Sequence, residues 1–143
     1  MTEGSMIITI DPGRVTGVAC GDWHTLKGCV KLRPDMGERP PVTSVELIVA
    51  ELPVLTPVGP GSLLTRGNDL ITLAVRLGRL LESVKCQNVR MVAPGSWKGQ
   101  VPKSIHNQRV LTRLSLVERT LVLDDHNVID AIGLFLHTIG RMK

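Results

Sequence analysis

Residues 6–20 constrain the fold more than any other stretch. Met6 to Ile10 is an apolar run that ends in one carboxylate, Asp11. Pro12 and Gly13 stop it at once, and a second apolar run, Val15 to Cys20, follows with Gly17 inside it. The pattern predicts a strand, a tight turn and a second strand, with a lone acid at the end of the first. An apolar strand buried on both faces has little reason to end in Asp unless the acid binds something. Asp before Pro-Gly also opens turns. On this stretch alone Asp11 is either a turn former or a ligand.

The chain beyond it continues the same scheme. A third strand from about His24 to Lys31 makes a meander with the first two, and the Pro-rich stretch Arg33–Pro41 reads as a loop, too short and too Pro-rich for a helix. Val42 to Glu51 rises into Leu47-Ile48-Val49-Ala50-Glu51, a fourth strand that again ends in one acid. Leu52 to Ser62 is a Pro/Gly-rich loop or lid. From Asn68 to Val84 the pattern turns helical: Leu70, Ala74, Leu77, Leu81 and Val84 recur at spacings of four and three, with Asn68 or Thr65 as cap. Asn88 to Ala93 is a fifth strand, and Ser96 to Ser104 a polar loop with Lys98 and Lys103. A short helix from Ile105 to about Leu116 carries Arg109 and Arg113. The last helix, from about His126 to Arg141, is opened by Asp124-Asp125, whose charges suit its positive end.

Composition narrows the function classes. The 143 residues suggest a single domain, 1–143, and 43% hydrophobic content is enough for a core. That content is aliphatic, with one Phe, no Tyr and two Trp, so a binder that stacks single-stranded bases on aromatics is poorly supported. A net charge of +4 and a pI near 9.3 fit a polyanion partner without requiring one. Cys20, Cys29 and Cys86 are odd in number and form no CxxC pair, so they read as thiols of a reducing compartment. Met1–Ser5 lacks the character of a signal peptide, and no apolar run approaches the roughly 18–20 residues of a membrane span. The expected location is the cytoplasm, with no membrane partner.

In the last helix Val128, Ile132, Phe135 and Ile139 form one stripe, and Asp130 sits opposite. Gly133, one turn on, lets that face approach another backbone. Both sides of this helix need cover, and one of them is a candidate subunit interface. Three acids now stand out: Asp11 and Glu51 at strand ends, and Asp130 near a helix start. Strands one and four as neighbours bring Asp11 and Glu51 together. Carboxylates held that close repel one another unless a cation neutralises them, and hard oxygen ligands favour Mg²⁺ or Mn²⁺. Each acid also has a plain structural role, as turn former, strand-edge acid or helix-start acid.

Ile-Asp-Pro-Gly-x-x-x-Thr-Gly-Val at Ile10–Val18, Val-Ala-Glu at Val49–Glu51 and Asp-Ala-Ile-Gly at Asp130–Gly133 resemble the RuvC family of Holliday-junction resolvases. The resemblance extends to the order of elements over nearly the whole chain. It implies an α/β, RNase H-like fold: a five-stranded mixed sheet, order 3-2-1-4-5, flanked by helices. It also implies a homodimer that nicks four-way DNA junctions with the help of Mg²⁺ or Mn²⁺, two ions per site. Carried over, Asp11, Glu51 and Asp130 match the family's carboxylates. The family's fourth metal-site residue, three positions before the last Asp, is here Asn127. His126, one further back, is the first choice for that role, with Asp125 a third candidate. Lys98 and Lys103 fall where family members place basic residues that contact phosphate. Arg66, at a loop–helix junction, and Arg109 are further candidates for DNA contact. The aromatic that often follows the strand-four Glu is absent from Leu52–Leu55, as is the usual helix between strands three and four, and this short form fits a phage-encoded version.

Other candidates read blandly. Arg76 and Arg79 look like a solvated helix face, Trp97 like a core or loop anchor, and His24, His106 and His137 lack metal-ligand spacing with each other. The competing function is a non-catalytic, structure-selective nucleic-acid-binding module of the same fold. An ATP-binding fragment of the sugar-kinase type is weak, because no phosphate-cradling glycine repeat follows.

Overall fold

The computed structural model describes residues 6–53, 63–94, 97–98 and 101–142, the side chains of 63–65 apart. Strands β1 (Ile7–Asp11), β2 (Thr16–Gly21) and β3 (Leu26–Leu32) form the meander, followed by β4 (Ser44–Glu51), helix α1 (Leu63–Glu82) and β5 (Lys85–Val92). Helices α2 (Lys103–Thr112), α3 (Leu116–Arg119) and α4 (His126–Thr138) complete the chain. The sheet order is β3-β2-β1-β4-β5, antiparallel across the meander and parallel across β1–β4 and β4–β5. This is the mixed five-stranded sheet, in the strand order, expected from the sequence.

Alternation along β1 decides what faces what. Ile8 and Ile10 point into one core with Ile48, Ala50, Leu77 and Leu80, the side covered by α1. Ile7 joins the other core with Leu47, Val49, Val128, Ile132 and Phe135, the side covered by α4. Thr9 and Asp11 share the parity of Ile7, and Glu51 that of Val49. The parallel pairing that sets Ile10 beside Ala50 then leaves Asp11 and Glu51 side by side at the strand ends, both on the α4 face.

α4 crosses the sheet closely. A Cβ on Gly17 would overlap the Asn127 carbonyl, so the helix start lies directly on β2. On its other side, a Cβ on Gly133 would stand 2.9 Å from the Val110 side chain and 3.0 Å from the Trp97 ring. The close neighbours of Gly133 are thus side chains, not another backbone. Residues Val128–Leu136 are all buried, between the sheet and α2. The two-sided cover expected for this helix comes from its own chain, which leaves that segment no surface for a subunit contact.

Several element bounds differ from expectation. α1 starts at Leu63, so Thr65 and Asn68 lie inside it and do not cap it. Its buried stripe is Leu77 and Leu80, Val84 is buried just past its end, and Ala74 is exposed. Residues 33–41 hold one 3-10 turn, Pro34–Met36, closed by Gly37 at φ 81°. Arg76 is no free surface charge: it forks onto Asp35 of that turn at 2.9 and 2.8 Å, fastening α1 to the β3–β4 connection. β5 begins three residues before Asn88, and α2 two before Ile105. α4 stops at Thr138, because Gly140 takes φ 82° and lets the Arg141 amide bond the Leu136 carbonyl. The expected lid falls mostly at residues 54–62, outside those described. Among the described residues no helix is long and apolar enough to cross a membrane.

Candidate active site

The three acids arrive from three elements. Asp11 ends β1, Glu51 ends β4 and Asp130 lies in the second turn of α4. A buried hydrogen bond fixes their relation: the Thr9 hydroxyl, two residues before Asp11, donates to the Ala131 carbonyl, one residue after Asp130, at 2.6 Å. Asp125 caps α4 by accepting from the Asn127 amide at 2.9 Å.

The electrostatics show how tightly the acids are grouped. Burial, then the charges of Glu51 and Asp130, push the Asp11 carboxyl up to about 7, against the smaller opposing pull of Lys98 and Lys103. Asp130 is also penalised by burial. The contact from His106 and the charges of Lys98 and Lys103 outweigh that penalty and leave it below the usual carboxylate range.

Lys98 is the hub. Its Nζ lies 2.9 Å from Glu51 Oε2 and 3.7 Å from Asp130 Oδ2. Burial disfavours its charge, but Glu51, Asp130 and Asp11 more than compensate and raise its pKa. Lys103, at the start of α2 and more exposed, comes within 4.0 Å of Asp130 Oδ2. Lys98, Val101, Lys103, His106 and Asp130 line a cavity of about 180 Å³. Trp97, 4% exposed, anchors this segment in the core as expected, and its ring meets His106 edge-on at 5.2 Å.

His106 is the site residue that sequence reasoning missed. Its Nε2 stands 3.5 Å from Asp130 Oδ1, and neither buried ring nitrogen has a hydrogen-bond partner among the described residues. The contact is therefore a close approach and not a made hydrogen bond. The usable signal was the spacing Lys103–His106–Val110, which puts all three on one helical face once α2 is started at Lys103. His126, by contrast, is exposed at the first turn of α4, and its charge acts on Asp125. Asn127 is half-buried, its amide taken by Asp125 and its carbonyl set against Gly17. Asp125 is engaged as the cap and in an ion pair with Lys31 at 3.7 Å. Arg109 does not join the acids: it lines a separate groove of about 850 Å³ with Arg113 and Arg141. Arg66 lies near the start of α1, half-buried.

The donor set suits a hard divalent cation. Three carboxylates lie near enough for their charges to couple, one of them is driven toward protonation, and the buried Glu51 Oε2 has the Lys98 ammonium as its counter-charge. With Lys98 seated between Glu51 and Asp130, no group of three His, Cys, Asp or Glu side chains among the described residues stands close enough together to hold a metal.

No family profile and no curated protein matches the sequence. Among solved structures, the nuclease domain of the large terminase subunit gp2 of bacterial virus Sf6 aligns at a TM-score of 0.34 and 13% identity, over 90% of this chain and 63% of that one. The chain thus spans less than two thirds of the structure it is similar to.

Proposed function

We propose that the protein is a divalent-metal-dependent endonuclease that nicks branched DNA, with the four-way junction as its expected substrate. The observation that carries the proposal is the convergence of Asp11, Glu51 and Asp130 from β1, β4 and α4 beneath two lysines. Asp11, Glu51 and Asp130 are the residues that would hold Mg²⁺ or Mn²⁺. Such ions, when bound, lower the pKa of water and stabilise the leaving oxygen of a phosphodiester. Lys98 and Lys103 offer ammonium groups to the non-bridging phosphate oxygens, and the buried Trp97 and Thr9 keep these groups in register. The sheet order and the acids at its strand ends fit the nuclease reading.

The test is cleavage of a synthetic four-way junction in Mg²⁺ or Mn²⁺. The wild-type chain nicks it, and Asp11→Asn and Asp130→Asn lose the activity; wild-type rates in both variants would overturn the assignment. One observation favours a non-catalytic binding module instead: Lys98 already satisfies Glu51 and Asp130. Junction binding without nicks in either metal supports that reading.

The paired cuts of a junction call for a homodimer. α1 supplies the contact in this proposal, because Ile71 and Val75 stand one turn apart on it at 63% and 51% exposure. Sedimentation of the wild type and of Ile71→Asp tests it: a dimer that becomes monomeric supports the contact, and a wild-type monomer overturns it.

A further inference from the structure

We infer that Lys98 is an exchangeable counter-ion: its ammonium holds the three acids together before a metal binds, and must leave for the metal to enter. The inference rests on the metal-dependent reading above and adds an order of events to it.

Four observations carry it. The ammonium sits between acids of two different elements, Glu51 of β4 at 2.9 Å and Asp130 of α4 at 3.7 Å. It therefore already supplies the positive charge for which a cation held by these acids would compete. Glu51 Oε2 is buried and the Lys98 ammonium at 2.9 Å is its counter-charge, and a counter-charge is what a second cation can replace. With Lys98 in place, no three candidate ligands among the described residues stand in chelating range, so metal binding would require the acids to close in. Finally, the residue sits between β5 and α2, outside both elements. Its amide is tied to the Pro94 carbonyl at 3.1 Å and its neighbour Trp97 is buried, yet its own side chain is 24% exposed. The Pro94 bond and the buried Trp97 hold the backbone at this point, and a four-carbon stem has the rotatable bonds to carry its ammonium outward.

An ammonium and a divalent ion repel strongly at about 4 Å in a partly buried site. Lys98 would therefore give way to a metal held by these acids, and its ammonium, which lines the cavity with Lys103 and His106, would be placed to meet the substrate phosphate instead. Metal binding comes first and phosphate capture second, with one side chain serving both.

The site carries its own reporter. The Lys98 ammonium lies 5.1 Å from the centre of the Trp97 ring. The other tryptophan, Trp23, is 41% exposed and is removed by Trp23→Phe. In that background Mg²⁺ titration changes Trp97 emission saturably. Calorimetric titration with Mn²⁺ gives the affinity. Lys98→Met tightens metal binding by about tenfold, since it removes a competing charge, and the Trp97 response to Mg²⁺ disappears. Lys98→Arg retains the charge and stays within about threefold of wild type, as does Lys103→Met, whose more exposed ammonium is screened by solvent. An unchanged Kd in Lys98→Met overturns the inference and leaves the metal reading intact. A silent Trp97 in the Trp23→Phe protein while calorimetry records binding also overturns it, even if Lys98→Met does not fold. No metal binding to the wild type or Lys98→Met overturns both readings together.

Discussion

The Thr9 hydroxyl donates a 2.6 Å hydrogen bond to the Ala131 carbonyl, joining the middle of β1 to the middle of α4. Both partners are buried, and each neighbours an acid of the candidate site. The bond therefore does more than stabilise: it sets the spacing of Asp11 and Asp130. Thr9→Val keeps the shape and removes the bond. It costs about 1 kcal/mol in urea unfolding, while junction nicking falls by about tenfold or more, because catalysis tolerates little misplacement. Equal losses in stability and activity would argue that the bond is only structural.

Gly17 and the two glycines of α1 make opposite predictions from the same substitution. A Cβ on Gly17 would collide with the Asn127 backbone, which is fixed by the Asp125 cap and has no side-chain freedom to give way. Gly17→Ala costs at least about 3 kcal/mol or prevents folding. A Cβ on Gly67 or Gly78 would meet nothing within 4 Å. Alanine at either gains about 0.5–1 kcal/mol through the lower entropy of the unfolded chain. Thermal melts of the three variants check the contrast.

What was legible in the sequence follows from the same physics. Asp11 and Glu51 stood out because each ends a strand whose other residues are apolar, and the period of two then assigns them a face. Asp130 stood out because it interrupts an apolar helix. His106 was legible only through its spacing from Lys103 and Val110, and the polar run before it hid the first turn of α2 on which that spacing depends. The fourth site residue was sought next to Asp130 in sequence, at His126 or Asn127, whereas the structure supplies its neighbours from α2 and the segment before it. The Arg76–Asp35 and Arg141–Glu118 pairs span 41 and 23 residues, and no local pattern announces a pairing at that distance.

Asp11 costs the fold stability at neutral pH. Burial and the neighbouring acids raise its carboxyl from 3.8 to about 7. A raised acid means the folded state prefers the proton, so stability falls as pH rises from about 4 and levels off above about 7. Asp11→Asn removes a charge the metal-free fold resists. At pH 8 the variant is more stable than wild type, by about 1–2 kcal/mol after allowance for screening, and the advantage vanishes below pH 4. Denaturant midpoints of both proteins across that range, without divalent ions, measure it. A less stable variant at pH 8 would mean that Asp11 is held by favourable contacts.

Glu118 works in the opposite sense. Its carboxylate takes a fork from Arg141 at 2.7 Å on each oxygen and accepts the Leu26 and Ser115 amides at 2.7 and 2.8 Å. It closes the α3 capping box and fastens the C-terminal residues to β3. Led by the Arg141 bonds, these contacts lower its pKa from 4.5 to about 2. A lowered acid contributes stability that is fully present above about 4.5 and is lost as pH falls toward 2. The partly exposed Arg141 screens the pair, so the contribution is about 2 kcal/mol. Glu118→Gln loses this amount at pH 7, and the gap between variant and wild type narrows as the pH falls from 4.5 to 2.5. Urea midpoints at pH 7, 4.5 and 2.5 decide it. A gap that stays constant with pH would assign the loss to packing and not to the charge.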